Sequence, residues 1–385
     1  MQLIKDFKQV HFAKGLINLY VGKLLLDFGG NIFALFFPIF LYQQYKDINL
    51  VIVYYIVGSL LYALTLPLGA KLMGRLGIKK SLILSTVFRI PYFAAFYFFP
   101  LNPVLFTMIA WLSNLCVRNL FWVPFHTESA KLSDKKNRGK QFSILFSIAS
   151  VLSIVAPVIA GFVLEKWSFS IAVVLGAFFV ALSIWPLLSL PPSREEFSWS
   201  FAEAWRYFFH PFNRRMVVAY MSDGLVGLVN GVFWPLFIFT ILDEKYQAMG
   251  FLTAGILLAG MILRLFIGSL LDHWKKTKLV KIGAALNATA WLFKTIVASA
   301  FHIFLVSAYH ALALIILKTS LDTLVYEKAA DRGHYVDEYT VIKEMSVHVG
   351  RVLGLIGIAV LLLFLPMQAT FVVAGVAALF INLLK

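Results

Sequence analysis

The stretch Gly69–Lys80, GAKLMGRLGIKK, lies between two long apolar runs and decides how the rest of the chain is interpreted. Glycines and cations in this density occur in phosphate-binding loops, in nucleic-acid contacts and in short turns between membrane helices. The phosphate-loop pattern G-x-x-x-x-G-K-[S/T] is absent from this stretch and from the rest of the sequence, so we expect no built-in ATP-hydrolysing motor of that kind. The composition of the whole chain decides between the other two interpretations.

The composition is that of a membrane protein. Hydrophobic residues make up 61% of the 385 residues and charged residues only 14%, whereas soluble domains have about 45–50% apolar and about 25% charged residues. In a soluble protein the net charge of +15 would suggest nucleic-acid binding. Here the basic residues concentrate in every second connection between apolar runs, as membrane topology requires. We therefore expect a lipid bilayer as partner, and no nucleic acid.

Twelve apolar segments are long enough to cross a bilayer as helices, which takes about 20 residues each. We predict spans at 16–43, 50–73, 81–100, 103–125, 141–164, 169–190, 215–242, 247–271, 279–299, 302–326, 339–363 and 367–384. The connections after the even-numbered spans carry runs of Lys and Arg, whereas the opposite connections hold only Lys46, Lys166 and Lys245. The positive-inside rule then places both termini in the cytoplasm, and we expect a prokaryotic cytoplasmic membrane.

The two halves of the chain resemble each other at a nearly constant offset. Asp27 in span 1 corresponds to Asp223 in span 7, and each is followed by a proline eleven or twelve residues later. Arg118 in span 4 corresponds to Lys318 in span 10. Offsets between 196 and 200 residues indicate a duplicated six-helix unit. We predict an N-terminal bundle at 1–190, a cytoplasmic linker with an interfacial amphipathic helix at 191–214, and a C-terminal bundle at 215–385.

The opening stretch resembles the turn signature of the major facilitator superfamily, which is approximately G-x-L-a-D-R-x-G-R-[K/R]. It keeps Leu72, Arg75, Gly77 and Lys79, but Gly74 stands where the signature has its acid. A carboxylate at such a turn can rest on the positive N-terminus of a neighbouring helix, and contacts made in only one state bias which side of a transporter is open.

The corresponding turn of the second half, GSLLDHWKK, keeps what the first turn lacks. It contains Gly268, Leu270 and Asp272, with His273 in place of the arginine. The resemblance implies an all-α membrane fold of twelve transmembrane helices in two pseudo-symmetric six-helix bundles, and a secondary transporter that works by alternating access. It also implies that the two turns latch a closed state, through Arg75, Gly77, Lys79, Gly268 and Asp272. The alternative is that membrane topology alone accounts for the basic residues of these turns.

Ionisable residues inside the spans mark a candidate site, because each costs about 2.5–3.5 kcal/mol at mid-membrane unless it has a partner or a wet cavity. In the superfamily, spans 1, 4, 7 and 10 line the central cavity. The candidates on these spans and on span 11 are Asp27, Asn31, Arg118, Trp122, Asp223, Asn230, Lys318, Asp322 and Arg351. Arg89 in span 3 and Lys294 in span 9 do not fit this pattern; Arg89 can reach a neighbouring helix, and Lys294 can snorkel.

Two charge pairs are predicted among these candidates. Asp27 and Arg118 lie at similar depth and can form a switchable pair, in which Asp27 takes up a proton when Arg118 moves to the substrate. A static pair that only fixes helix packing is the alternative. Lys318 and Asp322 are four residues apart and can pair on one helix face.

The function that we expect is secondary active transport of a small polar or amphipathic solute, coupled to protons. The alternative is a transport-inactive relative that serves as a sensor or assembly partner, which the acid-free turn at Gly74 favours. No catalytic constellation or metal-ligand cluster is visible in the sequence, so we expect no enzymatic activity, no cofactor and no metal. Gly227 and Gly231 form a GxxxG pattern that favours close helix packing over dimerisation, and we expect a monomer.

Overall fold

The computed structural model describes residues 12–134, 138–195, 197–271, 274–330 and 336–384, and its regular structure there is entirely helical. In the N-terminal half the helices are α1 (Lys14–Ala34), α2 (Phe37–Tyr45), α3 (Ile48–Leu76), α4 (Ile78–Tyr97), α5 (Pro103–Leu132), α6 (Arg138–Lys166), α7 (Phe169–Leu182) and α8 (Ile184–Leu188), with a 3-10 turn at Phe99–Leu101. The all-α prediction is therefore confirmed.

The second half continues in the same way. Its helices are α9 (Phe201–Phe209), α10 (Arg214–Gly231), α11 (Phe233–Ile241), α12 (Tyr246–Leu271), α13 (Lys276–Lys294), α14 (Ala300–Ala330), α15 (Val336–Leu361) and α16 (Ala369–Phe380), with 3-10 turns at Pro211–Asn213 and Ile381–Leu384. Within the described ranges, nine helical segments are long and apolar enough to cross a membrane. Helices are present in all twelve predicted spans, but the count of twelve is not confirmed, because α4, α13 and α16 do not meet that criterion.

Spans 1 and 7 are each broken into two helices at a proline. Pro38 follows the last residue of α1, Ala34, by four positions, and Pro235 follows the last residue of α10, Gly231, by the same distance. Proline has no backbone N–H to bond the carbonyl four residues earlier, and its ring clashes with that carbonyl. Since the two prolines are 197 residues apart in the sequence, the breaks follow the internal duplication.

Contacts divide the chain into two compact units. The first comprises the described residues up to Ala34 together with Pro67–Ser198, and the second comprises Leu35–Leu66 together with Trp199–Lys385. The α2 segment thus packs with the C-terminal half of the chain, where the Tyr246 hydroxyl donates to Gln43 Oε1 at 2.8 Å. The domain boundaries drawn from the sequence remain a prediction.

Helices α10 and α15 approach closely through glycine within the second unit. A Cβ on Gly224 would lie 2.1 Å from the carbonyl oxygen of Val347, and a Cβ on Gly350 would lie 2.1 Å from that of Met221. By contrast, a Cβ on Gly227 or Gly231 would meet nothing within 4 Å. The prediction that the Gly227–Gly231 pattern mediates close packing is wrong, because the contact lies one turn away on the helix.

The predicted linker helix is present as α9. Its N-terminus is a capping box, in which the Ser200 hydroxyl accepts from the Glu203 N–H at 3.2 Å and the Glu203 carboxylate accepts from the Ser200 N–H at 2.8 Å. These bonds satisfy two backbone donors that a helix start otherwise leaves without partners. Trp205 and Phe208 pack edge to face with ring centroids 5.5 Å apart. The location of α9 in the membrane interface remains a prediction.

Candidate functional site

In the first unit, Asp27 pairs with a lysine on its own helix. Lys23 Nζ contacts Asp27 Oδ2, and the two residues are one turn apart on α1. The same ammonium lies 5.9 Å from the ring centroid of Trp122 and 5.4 Å from that of Phe125, both on α5. The carboxylate is 40% exposed and the lysine 18% exposed, so the acid has the more open position. This cluster joins two predicted site residues, Asp27 and Trp122.

Arg89 supplies further positive charge near Asp27. The Arg89 guanidinium on α4 lies 5.0 Å from the ring centroid of Phe121 on α5, which confirms that it reaches a neighbouring helix. Arg89 is also close enough to interact electrostatically with both Asp27 and Arg118. Arg118 is half-buried on α5, and Asn31 is half-buried on α1 one turn beyond Asp27. The switchable Asp27–Arg118 pair therefore stays a prediction, and the partner that Asp27 has in this structure is Lys23.

In the second unit, Asp223 and Lys318 form an ion pair between helices. Lys318 Nζ on α14 donates to both carboxylate oxygens of Asp223 on α10, at 2.6 and 2.7 Å. Asp223 is 19% exposed and Lys318 is 42% exposed. The spacing in the sequence predicted a pair of Lys318 with Asp322 instead; the Asp322 side chain lies outside the part of the chain that the structure describes. Asp223 and Lys318 occupy the positions in the second half that correspond to Asp27 and Arg118 in the first half.

Lys294 on α13 does not snorkel, contrary to the expectation from the sequence. Its side chain is 0% exposed. The ammonium lies 3.9 Å from the ring centroid of Trp291 and 4.3 Å from that of Trp234, and Nζ donates to Asn230 Oδ1 at 3.1 Å. Aromatic faces attract a cation through their quadrupole, which offsets part of the loss of hydration. In the same cluster, the His310 ring packs edge to face on the Trp291 ring, with centroids 5.1 Å apart.

Arg351 on α15 belongs to a polar row that crosses to α10. Its Nε donates to the Gly224 carbonyl oxygen at 3.4 Å, and its Nη1 lies 3.4 Å from His348 Nε2. The His348 ring packs edge to face on the Tyr62 ring with centroids 4.7 Å apart. Arg351 therefore braces the close approach of α10 and α15 as well as carrying charge.

The first basic turn is held in place by the start of the linker. Gly77 has φ +81° and ψ 158°, a conformation that essentially only glycine adopts. The N–H of the next residue, Ile78, donates to the Ser193 carbonyl oxygen at 2.9 Å. Arg75 is exposed and Lys79 is half-buried beside this turn.

The linker makes three more contacts within the first unit. The Ser193 hydroxyl donates to Glu128 Oε2, and Lys131 at the end of α5 pairs with Glu195. Lys131 Nζ also donates to the Arg194 carbonyl oxygen at 2.6 Å. The linker is thus attached to α5 before α9 begins.

The second turn is covered only in part. Gly268 lies within α12, and Asp272 lies outside the described residues.

No group of three or more His, Cys, Asp or Glu side chains suited to a metal ion occurs among the described residues.

Three functional candidates were missed or misjudged from the sequence. Lys23 lies four residues before Asp27, and the rule that residues four apart on a helix interact could have identified it. Lys294 was identified as an unusual charge, but its partner Asn230 lies 64 positions earlier, which no local pattern reveals. Glu128 contacts Ser193, which is 65 positions later in the sequence, and this contact depends on how the linker folds back.

The sequence profile of the Major Facilitator Superfamily matches residues 19–340 of the chain. The chain belongs to the major facilitator superfamily. Solved structures similar to this superfamily member include the peptide transporter POT in complex with sulfate, with a TM-score of 0.74, 13% identity, and coverage of 96% of this chain and 93% of that chain. A point mutant of POT with sulfate gives a TM-score of 0.73 at 13% identity, and the mutant with alafosfalin gives 0.70 at 12%, both at the same coverage.

No curated protein matches the sequence. At 12–13% identity, the likeness to solved structures concerns the fold alone. Family membership and the apolar helices together make this an integral, multi-pass membrane protein of a secondary-transporter family, not an enzyme family.

Proposed function

We propose that the protein is a secondary active transporter that moves a small polar or amphipathic solute by alternating access, with protons as the coupling ion. The observation that carries this proposal is a carboxylate held by a lysine inside the helices of each half. Asp27 contacts Lys23, and Asp223 contacts Lys318. A carboxylate within a membrane needs a cation, a proton or water. When such a pair separates during transport, the carboxylate therefore binds a proton in place of the lysine.

Asp27 is the proposed proton carrier. It is the more exposed member of its pair, with Lys23 on one side and the positive charge of Arg89 nearby. When the solute draws a cation away, the carboxylate loses its partner and takes up a proton. Trp122 holds the Lys23 ammonium by its ring face and thereby limits how far the lysine follows.

The test is uptake into vesicles that contain the purified protein. A thermal-shift screen at two pH values against metabolites, lipids and drugs first identifies a solute. We expect Asp27→Asn to abolish uptake driven by a pH gradient while counterflow exchange of the same solute continues, because exchange needs no net proton movement. Asp47→Asn is the matched control, since Asp47 is exposed before α3 and its bond to the Asn49 N–H can be made by asparagine.

Two results would contradict the proposal. Undiminished gradient-driven uptake by Asp27→Asn would remove Asp27 from coupling. Absence of both uptake and exchange for every solute that binds the unmutated protein would favour the transport-inactive alternative.

We propose the remaining features of the transporter on the basis of the sequence. Both termini are cytoplasmic, the six-helix bundles comprise 1–190 and 215–385, and the protein acts as a monomer in a prokaryotic cytoplasmic membrane. The two turns latch a closed state, through Arg75, Gly77, Lys79, Gly268 and Asp272. Cysteine labelling in intact cells tests the orientation, with single cysteines introduced into the basic connections of the protein. Reagents that do not cross the membrane should fail to label these cysteines.

A further inference from the structure

The orientation of the Asn230 amide is fixed by Lys294. A lysine ammonium only donates hydrogen bonds, so the atom of Asn230 that faces Lys294 Nζ at 3.1 Å is the carbonyl oxygen. The amide nitrogen, with two N–H donors, is then turned away from Lys294. Because Lys294 is locked between the rings of Trp291 and Trp234 with 0% exposure, the amide cannot easily reverse.

Open space lies along the surface of α10 next to Asn230. Asn230 is exposed, although it lies within a helix that is long and apolar enough to span the membrane. A Cβ on Gly227, one turn earlier, or on the adjacent Gly231 would meet no atom within 4 Å. Lipid chains offer no acceptor to amide donors, so a space lined by such donors suits water or a solute with acceptor atoms. Asn230 also shares a helix face with Asp223, two turns away.

The charge behind Asn230 is positive and has no carboxylate close to it. Among the described residues, none places a carboxylate within ion-pair distance of Lys294, and Asp223 is taken by Lys318. The indole N–H of the buried Trp291 also has no acceptor in the described part of the chain. The cluster therefore offers donors and positive charge, and a ligand that complements it brings acceptors and negative charge.

We propose that the C-terminal half recognises an anionic group of the solute through the Asn230 amide, with Lys294 as the positioning residue that orients and polarises it. This inference rests on the proposed transport function, since it names the class of solute that is carried: an organic or inorganic anion. Lys294 does not touch the anion; its charge and its bond to Oδ1 make the amide N–H groups stronger donors toward it.

The experiment measures binding with the purified full chain in a nonionic detergent, which avoids competing lipid phosphates. The probes are phosphate, acetate, succinate and benzoate, with acetamide, succinamide and benzamide as uncharged partners of the three carboxylates. We expect at least one anion to raise the thermal midpoint and its uncharged partner to leave it unchanged. Asn230→Asp should weaken that anion's binding at least about tenfold, because the introduced carboxylate pairs with Lys294 and repels the anion.

Asn230→Asp is chosen because it is almost isosteric and its new ion pair should keep the thermal midpoint of the protein without ligand at or above that of the unmutated chain. Lys281→Met is the matched control for charge: Lys281 is exposed on the same helix as Lys294, and this change should leave anion binding within twofold. Asn230→Ser, which retains a short donor, should bind the anion better than Asn230→Asp.

The outcomes separate this inference from transport itself. Failure of all four anions to bind, or anion binding by Asn230→Asp within twofold of the unmutated protein, would overturn the anion site. Vesicle uptake of an uncharged solute that is insensitive to Asn230→Asp would also overturn it, while transport stands. Anion binding that is lost in Asn230→Asp supports the site even where vesicles show no flux, and that result would count against transport alone.

Discussion

The glycine contact between α10 and α15 gives the sharpest prediction for stability, because the same helix offers a matched control. In Gly224→Ala, the new Cβ would lie 2.1 Å from the carbonyl oxygen of Val347, whereas ordinary contact begins at 3.4 Å. The obstacle is backbone and cannot rotate away, so the helices must separate by about 1 Å, which forfeits roughly a quarter to a half of the dispersion energy across the contact. We expect a net cost of about 1–3 kcal/mol, the range for overpacked cores.

Gly227→Ala is the control, three residues further along α10. Its Cβ meets nothing within 4 Å, so only the higher helix propensity of alanine acts, by up to about 1 kcal/mol in favour of folding. Unfolding each variant in mixed micelles of increasing SDS content, followed by circular dichroism, gives the two free energies. Equal unfolding midpoints for Gly224→Ala and Gly227→Ala would refute the reasoning, since the two changes differ only in what the Cβ meets.

Three further predictions concern the turns and the interhelical ion pair. Gly77→Ala should lower the free energy of unfolding by about 1–3 kcal/mol, because alanine is strained in the backbone conformation of Gly77. Gly30→Ala is the control and should not lower it, since open space surrounds its Cβ. A Gly77→Ala protein as stable as the unmutated chain would contradict this prediction. The Asp223–Lys318 coupling energy from a double-mutant cycle with Asn and Met should be about 1 kcal/mol, because Lys318 is 42% exposed, and a value of zero would show the pair to be energetically silent. Asp272→Asn should reduce the uptake rate more than any single substitution within 69–80; the opposite order would reverse the assignment of the stronger latch.

Much of the fold could be predicted from the sequence, because each membrane helix corresponds to a local run of about 20 mostly apolar residues. The apolar runs predicted the helices, and a duplication offset predicted that spans 1 and 7 correspond. The breaks in these spans were less accessible. Pro38 and Pro235 lie in the first turn of the helix that follows each break, whereas Pro67 and Pro157 lie inside continuous helices. Proline alone therefore does not decide where a span is interrupted.

The candidate site was predicted in its residues more than in its pairings. Asp223 and Lys318 were each identified as costly intramembrane charges, but their contact joins residues 95 positions apart. A same-helix partner such as Asp322 is what spacing alone suggests. Lys294 shows the same limit, since its burial between two tryptophans depends on how α11 packs against α13. Hydropathy along the sequence does not indicate that a lysine at the end of a helix is buried.

The proline breaks have a consequence for hydration. Pro38 and Pro235 have no N–H to offer the carbonyl oxygens of Ala34 and Gly231, so two main-chain acceptors lose their usual helical donors. Hydrocarbon cannot replace those donors, whereas water or a solute can. Ala34 and Gly231 are both exposed. Each interruption, in span 1 and in span 7, therefore needs water or a polar solute beside it. The apolar composition of the chain thus does not mean that its interior is dry.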